Sequence, residues 1–379
     1  MACWKILCAL VSSALFVTGC SIPVEPSVVP RYADIARERS VFREQIGGCQ
    51  MRNKGIVVFF AVVALSALWS QEIVAQSGSM PMRTPDGQPD VSGTFTFRTL
   101  TPFQRPAQFE GQENLAVEDA AAFEASERTR QNRDLFDPEK GSGGYRPRAE
   151  GGVLSYNEFW YERGVELTSD KRTALIIDPP EGRLPPQTPV ARKAAQARRA
   201  YVEEHRYDSY ENRSMGDRCI MFSKSGPPIR NGAYNNNLMI FQTPEHVTIL
   251  TEQARQARVI PLGNSAKPAF AQLAGVSRGH WEGETLVIET TQFRGRGNGG
   301  TGPNMHLVER LTRLDPDTVA YEYTVTDPTV YTAPYTVMMP FRRTEGPLFE
   351  YACHEGNIGL YGILAGARNL ERQGRELRP

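Results

Sequence analysis

From Asn237 onward the chain repeats one pattern: a short β-branched, aromatic and aliphatic run, a turn, then another run. Leu238–Gln242 and Val247–Glu252 are joined by Thr243-Pro244-Glu245-His246. Arg278–Glu282 and Thr285–Thr291 meet across Gly283-Glu284, and His306–Leu314 and Thr318–Thr326 across Asp315-Pro316-Asp317. Thr336–Arg343 and Phe349–Cys353 are separated by a loop containing Thr344-Glu345-Gly346-Pro347. Turn residues between β-rich runs are a hairpin signature. Val319, Tyr321, Tyr323 and Val325 fall on one face of their strand, and Thr318, Ala320, Glu322 and Thr324 on the other.

One apolar and one polar face imply an antiparallel sheet. With Ala257–Ile260 added, the signals from Asn237 predict about nine strands in chain order. The expected fold is therefore mainly β: an antiparallel meander closing into a calycin- or lipocalin-like barrel. Closure removes exposed sheet edges; a two-layer β-sandwich is the alternative. Two or three helices are expected at the periphery. Leu115–Arg133 is Ala- and Glu-rich, without Gly or Pro, and reads as a surface helix. Thr188 as cap, Pro189 at the first helical position and Val190–His205 predict a second. Its basic cluster (Arg192, Lys193, Arg198, Arg199) is read as a solvated face, since Glu203 and Glu204 follow. Leu360–Arg372 reads as a helical tail. Val91–Phe97, Val153–Tyr161 and Thr173–Ile177 read as further strands, 77–90 as a linker and Lys140–Gly152 as a loop.

Two upstream segments look like export signals. Met1–Cys20 has Lys5, an apolar run from Ile6 to Val17, and Val17-Thr18-Gly19-Cys20, which resembles a lipobox whose Cys20 would carry lipid. Met51–Lys54 is a positive n-region and Gly55–Trp69 an apolar h-region, shorter than the roughly 20 residues that span a bilayer. Ile73-Val74-Ala75 before Gln76 suits cleavage. Tandem signals are redundant, so translation is expected to begin at Met51, with 1–50 an extension and 51–76 the signal peptide. The alternatives are a lipoprotein anchored at Cys20 and a chain held in the membrane by residues 55–69. Each places 91–379, read as a single β-rich domain, outside the cytoplasm: periplasmic, secreted or lipid-anchored.

Basic and acidic residues balance at 43 each. That leaves no basic footprint for nucleic acid and none to hold an anionic membrane, so membrane contact is expected only through a lipid anchor. Of six cysteines, only Cys219 and Cys353 lie beyond the presequence, and in an oxidising compartment they are expected to pair.

The densest polar cluster is Tyr351-Ala352-Cys353-His354-Glu355-Gly356-Asn357. At a strand end it would sit on the sheet rim, where barrels hold ligands. His354 is the candidate general base, oriented by Glu355; capping of the strand end by His354 and Asn357 is the structural alternative. A Cys219–Cys353 bond would bring Asp217 and Arg218 into this neighbourhood. Asp178 and Arg183 flank a proline-stiffened turn and are candidate pocket residues or a structural pair. Asn235, Asn236 and Asn237 suit a turn, or offer amides to a sugar. Arg278, His280 and Trp281 share one run, with His280 and Glu282 on one face and Trp281 opposite. No close ligand spacing joins the histidines, so no metal is expected, and no cofactor motif is present. No Gly-x-Ser-x-Gly elbow occurs either.

Several of these motifs, in this order, resemble a family of exported bacterial proteins of unknown function. They are Arg172 to Arg183, Asp217-Arg218-Cys219, Tyr234-Asn235-Asn236-Asn237, Ser277 to Gly283 and Tyr351 to Asn357. The resemblance spans roughly residues 90 to 370 and implies no activity. A weaker likeness to lipocalin-type barrels rests on Gly93-Thr94-Phe95, where Phe replaces the usual Trp, and is fold-level only.

Three functions are weighed. The first is a barrel module binding a small apolar or glycan ligand, its cavity lined by Tyr321, Tyr323, Phe341 and Phe349. The second is an envelope hydrolase or lyase using His354, Glu355, Asp217 and Arg218. The third is a structural or interaction domain without a small-molecule site. The first is preferred.

Overall fold

The computed structural model describes residues 82–135, 157–222, 224–263, 266, 268–295 and 301–375. The export-like segments lie outside the described residues. The described residues form ten strands: β1 (Gly93–Thr96), β2 (Ile176–Asp178), β3 (Asn237–Gln242), β4 (His246–Thr251), β5 (Ala257–Pro261), β6 (Val276–Glu282), β7 (Thr285–Thr291), β8 (His306–Asp315), β9 (Thr318–Thr326) and β10 (Tyr335–Arg343). The hydrogen-bonded order is β5-β4-β3-β1-β10-β9-β8-β7-β6, with β2 paired to β10 off that path. Every neighbouring pair on the path is antiparallel.

In a path of nine antiparallel strands the two ends point the same way, so such a barrel can close only through a parallel seam. Leu262 and Gly279 form that seam as a parallel bridge. The Gly263 N–H donates to the Gly279 carbonyl at 3.1 Å. A parallel pair needs a crossover of roughly a dozen residues, and the stretch of sequence between Pro261 and Val276 is long enough for one. Gly279 permits the approach, because a Cβ there would lie 2.8 Å from Leu262 Cδ2 and 3.2 Å from Ile260 Cγ2. The result is a nearly closed up-and-down antiparallel barrel, as expected, and not a sandwich.

Several expected elements differ. Phe349–Cys353 is not a strand. The edge of β10 that it would need is already taken by β1, with Phe95 opposite Arg343, so β1 supplies the ninth barrel strand. Glu158–Trp160 is a turn of 3-10 helix, not strand, and residues 153–156 of that expected strand lie outside the described residues. The strand expected over Thr173–Ile177 narrows to β2. Residues 82–90, expected as linker, are bonded to the barrel. Gln242 Nε2 donates to the Pro89 carbonyl at 2.9 Å, and Arg83 pairs with Glu284.

The alternation on β9 holds: Val319, Tyr321, Tyr323 and Val325 are buried. With Val337, Met339 and Phe341 of β10, Leu307 and Leu311 of β8, and Ile240, Ile249 and Ile260 they form one core inside the barrel. The described residues include three α-helices. α1 (Val117–Gln131) buries only Ala120 and Glu124, over a small satellite cluster of Leu100, Leu115 and Leu167. α2 (Pro189–His205) begins as the sequence predicts, with the Thr188 hydroxyl accepting from Ala191 N–H at 3.1 Å. Its basic residues are exposed. α3 (Ile358–Arg372) is capped by Asn357, whose side-chain Oδ1 accepts from Leu360 N–H at 3.2 Å. Among the described residues no helix is long and apolar enough to cross a membrane.

Candidate functional site

The lumen is filled. Residues 224–229 are buried, and Ile229 joins the barrel core. Its N–H donates to the Tyr321 hydroxyl at 3.0 Å. Tyr321 stacks on Phe341 with ring centroids 4.6 Å apart and lies 5.5 Å from the Tyr323 ring. Tyr321 donates to Glu309 Oε1 at 2.6 Å, and Glu309 receives both terminal nitrogens of Arg258 at 2.6 and 2.9 Å. The expectation that Tyr321, Tyr323 and Phe341 line a ligand cavity is therefore corrected: a plug from the chain itself occupies the space they face. Phe349, the fourth of that set, is exposed and lies elsewhere.

A different cavity, of about 700 Å³, opens at one rim of the barrel. Asn235 precedes β3 and Glu252 follows β4, which places both at the same barrel end; the segment after β10 brings Phe349 back to it, where its backbone bonds to Glu252. Phe159, Trp160, Tyr161 and Glu162 come from the 3-10 turn and its exit, and Tyr234 and Tyr351 complete the wall. Phe159 and Trp160 meet edge to face at 5.3 Å, Tyr161 and Tyr234 at 6.4 Å, and Tyr351 stands edge-on to Phe222 at 5.5 Å. Trp160 is 61% exposed and Phe159 82%. Large aromatic rings left this open at a concave site are a binding signature.

The two carboxylates of the wall are tied together. Asn237 Nδ2 donates to Glu252 at 2.8 Å and to Glu162 at 3.3 Å. Glu252 is 2% exposed. Burial raises its pKa; hydrogen bonds from Asn237, Asn235 and the Phe349 backbone oppose that, while nearby Glu162 adds to it. Glu162 is paired with Arg98 at 3.3 Å. Behind this wall lies Lys224, 6% exposed. Its ammonium donates to the Tyr234 carbonyl and sits 4.4 Å from the Tyr234 ring centroid. Burial pulls its pKa down to about 8, against the attraction of Glu252 and Glu162. Gly232 makes room for this side chain, since a Cβ there would lie 2.8 Å from Lys224 Cδ.

Backbone strain collects here. Asn235 has φ +52°, which Asn tolerates, but Ala254 and Arg255, just after Glu252, have φ +63° and +48°. Consecutive left-handed residues other than glycine are costly and cluster at ligand sites.

The residues singled out in the sequence divide. Cys219 and Cys353 form the expected disulfide, with Cα atoms 5.7 Å apart. Tyr351 lines the cavity. Asn236 is fully buried and spent on structure, its amide bonded to the Glu162 carbonyl at 2.7 Å and to Gly232; its neighbour Asn235 reaches the cavity instead. Asn357, besides capping α3, donates to the Asp217 carbonyl at 3.0 Å. The Asp217 carboxylate pairs with Arg213 at 3.0 Å, and Arg218 lies over the Tyr210 ring at 5.8 Å. His354 and Glu355 are exposed. Among the described residues no hydrogen bond or ion pair links the side chains of His354, Glu355, Asp217 and Arg218. Asp178 and Arg183 are both exposed and do not pair with each other among the described residues. Arg105 holds that turn instead, through Thr173 at 2.9 Å and the Pro180 carbonyl at 2.8 Å. His280 shares a face with Glu282 at 3.2 Å and Trp281 packs on the opposite side, as the strand period requires. Arg278 donates to the carbonyls of Ser277 and Ala266. No group of three potential metal ligands occurs among the described residues.

Sequence reasoning missed Phe159, Trp160, Tyr161, Glu162, Lys224, Tyr234 and Glu252. One signal was present: Phe159-Trp160-Tyr161 is the densest aromatic run in the chain beyond the leader.

A plugged barrel with an aromatic, acid-bearing cavity at its rim is thus the class of molecule defined by fold and site. No family model and no curated protein matches the chain. Among solved structures, a point mutant of the fluorescent protein UnaG aligns with a TM-score of 0.20 and 15% identity, covering 29% of this chain and 72% of its own. A likeness that slight carries no argument about function.

Proposed function

We propose that the chain is an exported envelope or periplasmic module that binds a small glycan in the rim cavity. The observation that carries this is the wall itself: six aromatic side chains and two carboxylates around one concave space of ligand size. Aromatic faces stack on the apolar face of a sugar ring, while carboxylates and amides hold its hydroxyls. A purely apolar ligand would strip water from the solvent-facing part of Glu162 and offer it no hydrogen bond in return, at a cost of desolvation. A cationic ligand is disfavoured by charge balance, because Lys224 and Arg98 already offset Glu162 and Glu252. The disulfide supports an oxidising compartment, and the export-like leaders agree with it. The hydrolase reading finds no shared contact among its four residues.

The test is glycan-array binding followed by calorimetry on the purified protein, with Trp160→Ala as comparison. Binding of a defined saccharide, weakened about tenfold or more by the variant at unchanged melting temperature, supports the reading. An array without signal, or equal binding by the variant, sinks it.

A further inference from the structure

Tyr161 and Glu162 each line two cavities. One is the aromatic site; the other, of about 480 Å³, continues past them over the end of β10. The two spaces therefore share a wall rather than lying apart, and each is within the about 300–1,000 Å³ range of small-molecule sites. Their chemistry differs. The second has Tyr161 as its one aromatic ring and is surrounded by three ion pairs: Arg98 with Glu162 at 3.3 Å, Arg163 with Glu158 at 2.7 Å, and Arg342 with Glu166 at 3.9 Å. The Arg163 guanidinium also lies 3.8 Å from the Tyr161 ring centroid, which fixes the shared wall.

Paired guanidinium and carboxylate groups offer donors and acceptors side by side with little net charge. A hydroxyl-rich, uncharged unit satisfies both, accepting from the arginine and donating to the glutamate. Arg342, with the longest ion pair of the three and an exposed side chain, is the group most available to such a unit.

Resting on the glycan reading, we infer that the ligand is an oligosaccharide of two or more units. One unit stacks in the aromatic cavity, and the next crosses the Tyr161–Glu162 wall into the ion-paired subsite. The aromatic site confers attachment, and the second confers chain-length selectivity.

The experiment titrates the full chain with glucose-, N-acetylglucosamine- and uronate-based saccharides of one to six units, using wild type, Arg342→Ala and Trp160→Ala. Affinity is expected to rise about tenfold or more from one unit to two or three and then to level off. Arg342→Ala is expected to remove about tenfold of that gain, the effect of one hydrogen bond to a charged group, without weakening the monosaccharide. Trp160→Ala is expected to weaken every length. Equal affinity for one unit and for several, or an Arg342→Ala effect identical at all lengths, overturns the two-subsite inference while leaving glycan binding intact. Absence of binding by every saccharide overturns both together.

Discussion

The backbone N–H of Ile229 and the hydroxyl of Tyr321 meet at 3.0 Å inside the barrel, joining the plug to β9. The same hydroxyl donates to Glu309 at 2.6 Å. Tyr321→Phe keeps the ring and its stack on Phe341 but leaves a buried N–H unpaired and removes one donor from Glu309. Each such orphan costs about 1–3 kcal/mol, so a loss of about 3 kcal/mol is expected in urea unfolding at unchanged m-value. A loss below about 0.5 kcal/mol would mean that the plug is not anchored there.

Lys224 makes stability depend on pH. Folding lowers its pKa from 10.5 to about 8, chiefly by burial. Between those values the unfolded chain binds more protons than the folded one, so this residue's contribution to stability rises as pH rises from about 8 to 10.5. One pK unit corresponds to about 1.4 kcal/mol. The free-energy difference between wild type and Lys224→Met should therefore shift in favour of wild type by about 3 kcal/mol from pH 7 to 10.5. A flat difference would show the ammonium to be solvated.

Gly279 is needed at the seam for space, not for backbone conformation. Gly279→Ala sets a methyl 2.8 Å from Leu262 Cδ2, and overpacking of this kind costs about 1–3 kcal/mol. Because the closest clash is with the far end of the Leu262 side chain, ahead of Ile260 Cγ2 at 3.2 Å, Leu262→Ala in the same chain should restore part of the loss. A double mutant no better than the sum of its singles would place the strain elsewhere.

The disulfide closes 134 residues of sequence. In the chain-entropy model a loop of that length is worth about 4–5 kcal/mol. Cys219→Ser with Cys353→Ser is expected to lower the unfolding free energy by a few kcal/mol and to loosen α3, whose cap Asn357 also touches Cys219 Sγ at 3.4 Å. Circular dichroism melts of oxidised, reduced and double-Ser forms test this; coincident melts would contradict it.

What could be read in the sequence followed from local physics. The period of two on β9, the Thr188-Pro189 helix start and the pairing of two cysteines need only neighbouring residues or compartment chemistry. What could not be read depends on which edges pair at long range. Phe349–Cys353 looks like a strand, but β1, from far earlier in the chain, already occupies the edge it would join. The filled lumen was invisible for the same reason: nothing local to the Lys-Ser-Gly-Pro-Pro stretch signals that Tyr321 receives the Ile229 N–H beside it. The site suffered most. His354 and Asp217 attract notice as residue types, whereas Glu252 gains its character only from burial beside Glu162.

The parallel seam gives the barrel a clasp. Elsewhere around the ring, strands such as β8 and β9 share long antiparallel ladders, from His306–Thr326 to Asp315–Thr318. Between β5 and β6 one bridge is present among the described residues, at Leu262 and Gly279. Local opening draws on the least-bonded part of a structure, so the hoop can part at this clasp while the remaining strands and the plug stay in register. Amide protons of β5 and β6 would then exchange with solvent long before those of β8 and β9, and the barrel would relax as a curled ribbon hinged opposite the seam.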